Sequence, residues 1–304
     1  MTETGRHDHG EVNRRRLLIA IVITGIFLIV VIFGALLSGS LALLADAGHM
    51  LSDLIALLVA LVATRIAARP ATDRQTFGYQ RAEVFGALIN GVLLVVVVIY
   101  VAVAGFGRLI DPGAVEVQGI PMLLVGAAGL AANLASLLVL RGGAKTSINM
   151  RAAYLEVLWD LFGSVAAIIA AVIILTLGFQ SADAIASLLI AAIIVPRAFS
   201  LLRDVVRVLS ESVPADTSVA EIRGHLLGTA GVVDVHDVHV WAITSGTPVF
   251  SAHVIVDRAT FESGGAGRLL DELGACLADH FDVAHSTFQL EPAEHADHED
   301  RHHD

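Results

Sequence analysis

The chain has a single cysteine, Cys276, in 304 residues. That excludes an intrachain disulfide framework and any zinc cluster built on several thiolates. Basic residues are few, 19 against 30 acidic ones, and the formal net charge of −11 argues against a nucleic-acid partner. No basic stripe with interleaved aromatics is present either. Charged residues of both signs make up only 16% of the chain. The composition is instead 56% apolar, where a soluble domain of this size usually sits near 45–50%. The excess lies in long runs before about residue 205, and the charge gathers at the two ends and in short connectors. That distribution describes a membrane protein with a soluble tail. Histidine is the other abundance, with 13 copies, one of them inside an apolar run and the rest toward the two ends of the chain.

A bilayer core about 30 Å thick needs roughly 20 apolar residues as a helix. Six runs read as spans: Leu17–Leu37, Leu41–Ile66, Val84–Ile110, Ile120–Leu140, Ala152–Leu177 and Ala184–Leu202. The second is interrupted by Asp46, His49 and Asp53, and the fifth by Glu156 and Asp160. Arg14, Arg15 and Arg16 precede the first span; Arg65, Arg69, Arg74 and Arg81 lie between the second and third. Arg141, Lys145 and Arg151 lie between the fourth and fifth, and Arg203 and Arg207 follow the sixth. The opposite connectors carry Asp111, Glu116 and Asp183, with only Arg108 at a helix end. The positive-inside rule then puts both termini in the cytoplasm of a chain crossing the inner (plasma) membrane six times. A cleaved signal peptide is the alternative for Leu17–Leu37; its length and the charge count favour a retained span.

The character changes at Pro214. Asp216–Thr229 reads as a capped amphipathic helix. Val232–Thr244 and Val249–Val256 read as strands joined by a Ser-Gly-Thr-Pro turn, Arg268–His280 as a helix and Ser286–Leu290 as a third strand. The expected fold is an all-α six-helix transmembrane bundle followed by a small cytoplasmic α+β domain of α-β-β-α-β order, ferredoxin-like. The expected boundaries are a disordered tail at 1–13, the bundle at 14–210, the cytoplasmic domain at 211–292 and a disordered tail rich in histidine and acid at 293–304. A domain of about 80 residues is small and calls for a partner surface.

Charges at mid-bilayer cost roughly 2.5–3.5 kcal/mol each on insertion scales and persist where they face a polar cavity. His49 and Asp53 are four residues apart and share a helix face, as do Glu156 and Asp160. Two such helices facing one another present one imidazole and three carboxylates, a near-complete tetrahedral shell for a divalent cation. No lysine or arginine lies in the core of either span, so a metal, or protons in its absence, must neutralise the carboxylates. A proton relay without metal is the competing reading. Asp46 lies three residues before His49 and reads as a helix-end residue or one that orients the site. No span carries a His-Glu-x-x-His pattern, which argues against an intramembrane metalloenzyme.

These residues bring a family into view. The stretch SLALLADAGHMLSD over Ser40–Asp53 resembles the second-span signature of the cation diffusion facilitator family, in its cobalt-zinc-cadmium resistance and zinc transporter branch. Phe77–Glu83 and Ala87–Asn90 resemble its third-span opening, Asn149–Asp160 its fifth-span signature, and His239–Trp241 with Ser251–His253 its cytoplasmic domain. The resemblance runs from about Arg14 to Pro292. It implies a homodimeric metal/proton antiporter, not an enzyme, with a transport site of His49, Asp53, Glu156 and Asp160. The implied cargo is Zn²⁺, with Cd²⁺ and Co²⁺ as further candidates. Manganese or iron export by the same scaffold, or a metal-gated channel or sensor, are the alternatives. One departure stands out: the zinc branch usually has histidine where this chain has Glu156, and an extra oxygen donor hardens the site. Members for manganese typically carry aspartate in place of His49.

The same resemblance implies regulatory Zn²⁺ in the cytoplasmic domain, with His236, His253 and Glu291 as the first candidates and His239 and His285 behind them. Hydrogen-bonded core histidines are the competing reading of each. By strand alternation, His236 and His239, three apart, point to opposite faces. Gln289 stands where relatives often have a further ligand. His7, His9, His295, His298, His302 and His303 read either as metal-gathering tracts or as solubilising tails. Arg81 matches a position that helps hold the dimer in relatives, with Glu211 as a candidate partner and positive-inside anchoring as the plainer reading.

Overall fold

The computed structural model describes residues 4–67, 69–141, 148–244, 246–283 and 285–292. The connector at 142–145, Ser245 and the histidines of 293–304 lie outside the described residues, as do the side chains of His7 and His9. Two compact units are present, Met1–Leu58 with Ile89–Ser200, and Val59–Leu88 with Leu201–Asp304.

Six long helices come first: α1 (Thr4–Ser38), α2 (Leu41–Ala67), α3 (Ala82–Ile110), α4 (Gly119–Leu140), α5 (Ile148–Leu177) and α6 (Ser181–Leu209). Helix α1 reaches back to Thr4, well ahead of the expected start of its apolar run at Leu17. Among the described residues, α3 to α6 are each long and apolar enough to cross a membrane, and α1 adds a shorter apolar stretch, Val22–Ser38. The polarity of the first unit is inside out. Ile99, Val103, Phe106, Leu124, Leu138 and Phe199 are exposed, while Asp46, His49, Ser52, Asn90, Asn133, Asp160 and Ser164 are buried. An apolar exterior of this extent suits hydrocarbon rather than water.

Small residues let the helices approach. A Cβ on Gly129 of α4 would stand 2.5 Å from Phe27 of α1 and 2.9 Å from the Ser164 hydroxyl of α5, so only glycine permits this three-helix contact. Asn133 donates to the Ser164 hydroxyl at 3.2 Å nearby, and Ser52 donates to the Asn90 side chain at 2.6 Å. Close apolar packing of Phe27, Leu28 and Val31 on Ala47 and Met50 joins α1 to α2.

The N-terminus of α2 is held by a carboxylate from another helix. Asp183, in the first turn of α6, is fully buried. It accepts from the Ser40 hydroxyl at 2.6 Å, from the Leu41 and Ala42 backbone N–H groups at 2.7 and 3.1 Å, and from Arg108 at 3.0 Å. It thus satisfies orphan donors that every helix start leaves open, and its charge complements the dipole. Read from sequence as an extracytoplasmic connector charge, Asp183 in fact sets where α2 begins. Asp183→Asn should lower stability by about 1.5–3 kcal/mol, the worth of hydrogen bonds to a charged group. A thermal-unfolding midpoint in detergent unchanged by the substitution would contradict this.

The second unit carries α7 (Val219–Leu227), β1 (Val232–Ala242), β2 (Pro248–Val256), α8 (Arg258–Glu262), α9 (Ala266–Phe281) and β3 (His285–Pro292). Strand order is β1-β2-β3, with β1 antiparallel and β3 parallel to β2. Alternate residues Phe250, Ala252, Val254 and Val256 of β2 pack with Ile222 and Leu226 of α7 and Leu269, Leu273 and Leu277 of α9. The expected order gains one element, the short α8, whose N-cap Asp257 accepts from the Thr260 N–H at 2.7 Å, as a helix start favours. Also in this unit, Arg81 pairs with Glu211 at 2.9 Å within one chain, both groups well exposed, and Thr244 donates to Glu83 at 3.1 Å.

Candidate metal centre

One turn of helix separates His49 from Asp53 on α2, so both side chains leave the same face. Asp160 comes from α5. His49 Nε2 lies 3.8 Å from Asp53 Oδ2 and 3.4 Å from Asp160 Oδ1. One donor atom from each of the three falls within 4.8 Å of the others. His49 and Asp160 are under a tenth exposed. His49 Nδ1 and Asp160 Oδ1 are buried without a hydrogen-bond partner. A buried polar atom left unpaired costs about 1–3 kcal/mol, so such atoms gather where a ligand completes them.

Glu156 stands outside the three-residue group and joins it through a residue that the sequence reading did not anticipate. Arg197, on α6 directly after Pro196, donates to Asp53 at 2.8 Å and also bonds Glu156. The same guanidinium lies 3.3 Å from His49 Nε2. The absence of basic residues in the cores of α2 and α5 did not leave these carboxylates without a cation, because a third helix supplies one. Pro196 sits inside α6 and has no N–H for the backbone ladder, which loosens the helix at this point. A cavity of about 200 Å³ is lined by Asp53, Glu156, Asp160 and Arg197 together with Met50 and Leu140. Asp46 is buried, and its carboxylate would stand 3.1 Å from a Cβ on Gly163. It lies against α5 and is not part of the converging group.

A second cluster forms on the sheet. His236 and His253 are cross-strand partners with ring centroids 5.3 Å apart. Glu291 of β3 reaches both, with Oε1 2.9 Å from His253 Nδ1 and Oε2 3.7 Å from His236 Nε2. Glu291 is 1% exposed and its Oε2 has no hydrogen-bond partner. Gln289 donates to Glu291 at 2.8 Å and so orients the carboxylate.

His236 and His239 do not take opposite faces. His236 pairs with His253 and His239 with Ser251, two residues apart on β2, across a register shift. The extra residue is a bulge, and Asp237 adopts φ 50° within it, a left-handed conformation that aspartate tolerates better than most residues. The bulge brings Asp237 to 3.1 Å from His239 Nε2 and 3.8 Å from His253 Nε2, a carboxylate that strand alternation alone does not predict. His285 opens β3 and meets Phe77 edge-on at 5.3 Å instead of joining the cluster.

Family models match nearly the whole chain. Residues 17–210 match the cation efflux transmembrane domain and 214–293 the cation efflux protein cytoplasmic domain. The metal cation efflux system protein CzcD of Cupriavidus metallidurans is 43% identical over 96% of this chain and 91% of its own length. The zinc transporter ZitB of Escherichia coli is 41% identical over 95% of this chain and 91% of its own. A cadmium, cobalt and zinc/H⁺-K⁺ antiporter of Bacillus subtilis is 38% identical over 95% and 93%.

Proposed function

The chain belongs to the cation efflux family, and on that premise we propose that it carries divalent transition-metal cations, Zn²⁺ first, out of the cytoplasm in exchange for protons. The observation behind this is the convergence of His49, Asp53 and Asp160 inside a bundle with an apolar exterior. Six membrane crossings, cytoplasmic termini, an inner-membrane location and a homodimer joined through the cytoplasmic domain complete the reading. That domain would take regulatory Zn²⁺ at His236, His253 and Glu291.

The charges suit such a cargo. Three carboxylates against one guanidinium leave two negative charges, which one divalent cation cancels while His49 stays neutral. With His49, Asp53 and Asp160 around the ion, Glu156 is the movable fourth donor, since its side chain is the most exposed of the four. Arg197 competes with the ion for Asp53 and Glu156. When the ion leaves, the guanidinium returns to them, so the site is never left with its full negative charge uncompensated in a low-dielectric interior. Carboxylate ligands must be deprotonated to bind, which links loading to proton release.

Glu156 also bears on selectivity. One nitrogen and three oxygens is a harder donor set than the zinc branch usually carries, and hard donors favour Mn²⁺ and Fe²⁺ relative to a nitrogen-rich site. This favours a second reading, a broader exporter that includes those ions. Glu156→His should raise the preference for Zn²⁺ over Mn²⁺ by about tenfold, the lower end of what even a residue that only orients a metal ligand contributes. Competition flux in everted membrane vesicles measures it, and an unchanged profile would remove this position from the account of selectivity.

A further inference from the structure

The cytoplasmic domain holds a third group of ligand-type side chains, on its helices. Cys276 and His280 are four apart on α9 and share one face. His225, in the last turn of α7, faces them. Cys276 Sγ lies 4.0 Å from His225 Nδ1, and the two imidazole centroids are 5.0 Å apart. Donor atoms from the three residues all fall within 4.8 Å of one another. Metal–ligand bonds of about 2.0–2.3 Å put donors roughly 3.3–3.8 Å apart in a tetrahedral shell, so small side-chain rotations close the set. His280 Nδ1 is 3.0 Å from the Cys276 carbonyl oxygen. The carbonyl only accepts, so Nδ1 carries the proton and Nε2 keeps its lone pair for a metal, the arrangement that orients ligating histidines.

The helices that carry these residues are fixed by the core. Ile222 and Leu226 bracket His225, and Leu273 and Leu277 bracket Cys276, all four fully buried. The cluster is not the sheet cluster. His253 and Glu291 lie at odd positions of their strands, and the residues of β2 that meet α7 and α9 are the even ones. The two groups therefore occupy opposite sides of the sheet.

We propose that His225, Cys276 and His280 form a separate metal site on the α7–α9 surface, taking one thiophilic transition-metal cation of the Zn²⁺ and Cd²⁺ class. Two imidazoles and a thiolate select such ions over Mg²⁺ and Mn²⁺. Both histidines are exposed and Cys276 is half-buried, so an ion can enter from solvent and the fourth position stays open to water. This site is independent of the transport reading.

The test is a Cd²⁺ titration of the full-length reduced protein in detergent, followed by the ultraviolet thiolate-to-cadmium charge-transfer band. Cys276 is the only cysteine, so the band reports this site and neither of the others. One equivalent per chain should saturate it, and Cys276→Ser should remove it. His225→Gln and His280→Gln keep the thiol and alter only exposed residues; each should weaken the apparent affinity by about tenfold or more. Zn²⁺ should slow alkylation of Cys276 in the parent protein and not in the two histidine variants. No band, an affinity unchanged in both histidine variants, or alkylation indifferent to Zn²⁺ would overturn the proposal.

Discussion

Asp53→Ala and Asp160→Ala should each bring metal flux to background while the chain still inserts and folds. Each removes a carboxylate donor from the converging group of His49, Asp53 and Asp160. Asp160 is the more buried of the two, and its Oδ1 lies 3.4 Å from His49 Nε2 with no hydrogen bond of its own. Truncating it removes an unsatisfied buried acceptor, so the fold should hold or gain slightly while binding fails. Asp53 differs, because its loss also frees Arg197 from one of its two carboxylates. Asp53→Ala should therefore lower stability as well as flux. Flux in reconstituted vesicles, read beside thermal unfolding, separates the two effects. Retained transport in either variant would reject the site.

Arg197→Met should have effects of opposite sign on binding and on turnover. The guanidinium donates to Asp53 and Glu156, and an arriving cation must displace it. Charge-assisted bonds of this kind are worth about 1.5–3 kcal/mol when buried. The Arg197 side chain is 42% exposed, so a value of about 1 kcal/mol is the fitting scale, which is about fivefold in affinity. Removing the competitor should tighten equilibrium Zn²⁺ binding by about that factor. Maximal flux should fall by a similar factor, since the ion then leaves bare carboxylates behind. Arg197→Lys should lie between, because both carboxylate bonds leave the single nitrogen Nη2, which an ammonium can imitate, while the separate Nη1 approach to His49 is lost. Binding and flux both at parent values would show that Arg197 only anchors α6.

The helices and the pairing of ionisable residues on shared helix faces were legible in the sequence for a simple reason. Apolar runs report span length, and a spacing of four reports a shared face, so His49 with Asp53 and Glu156 with Asp160 could be paired before any packing was known. Arg197 was missed because its partners lie on two other helices, and no periodicity within α6 points to them. The available signal was an arginine set deep in an apolar run beside Pro196, where positive-inside anchoring does not explain it. Asp237 was missed for a different reason. Alternation assumes an unbroken ladder, and a single left-handed residue reverses the face of everything after it. Asp183 read as a loop charge because a helix cap supplied from 142 positions away leaves no local trace. The short α8 did leave one, Asp257 capping at Thr260, but five residues are too few for a periodic signal.

Zn²⁺ uptake into proteoliposomes under an imposed pH gradient tests the central claim most directly. Uptake should rise when the gradient drives protons out of the lumen, fall when an ionophore collapses it, and be accompanied by measurable alkalinisation inside the vesicles. Asp160→Ala vesicles should show neither signal. Zn²⁺ uptake that proceeds at one rate with and without the gradient, with no proton movement, would contradict the account.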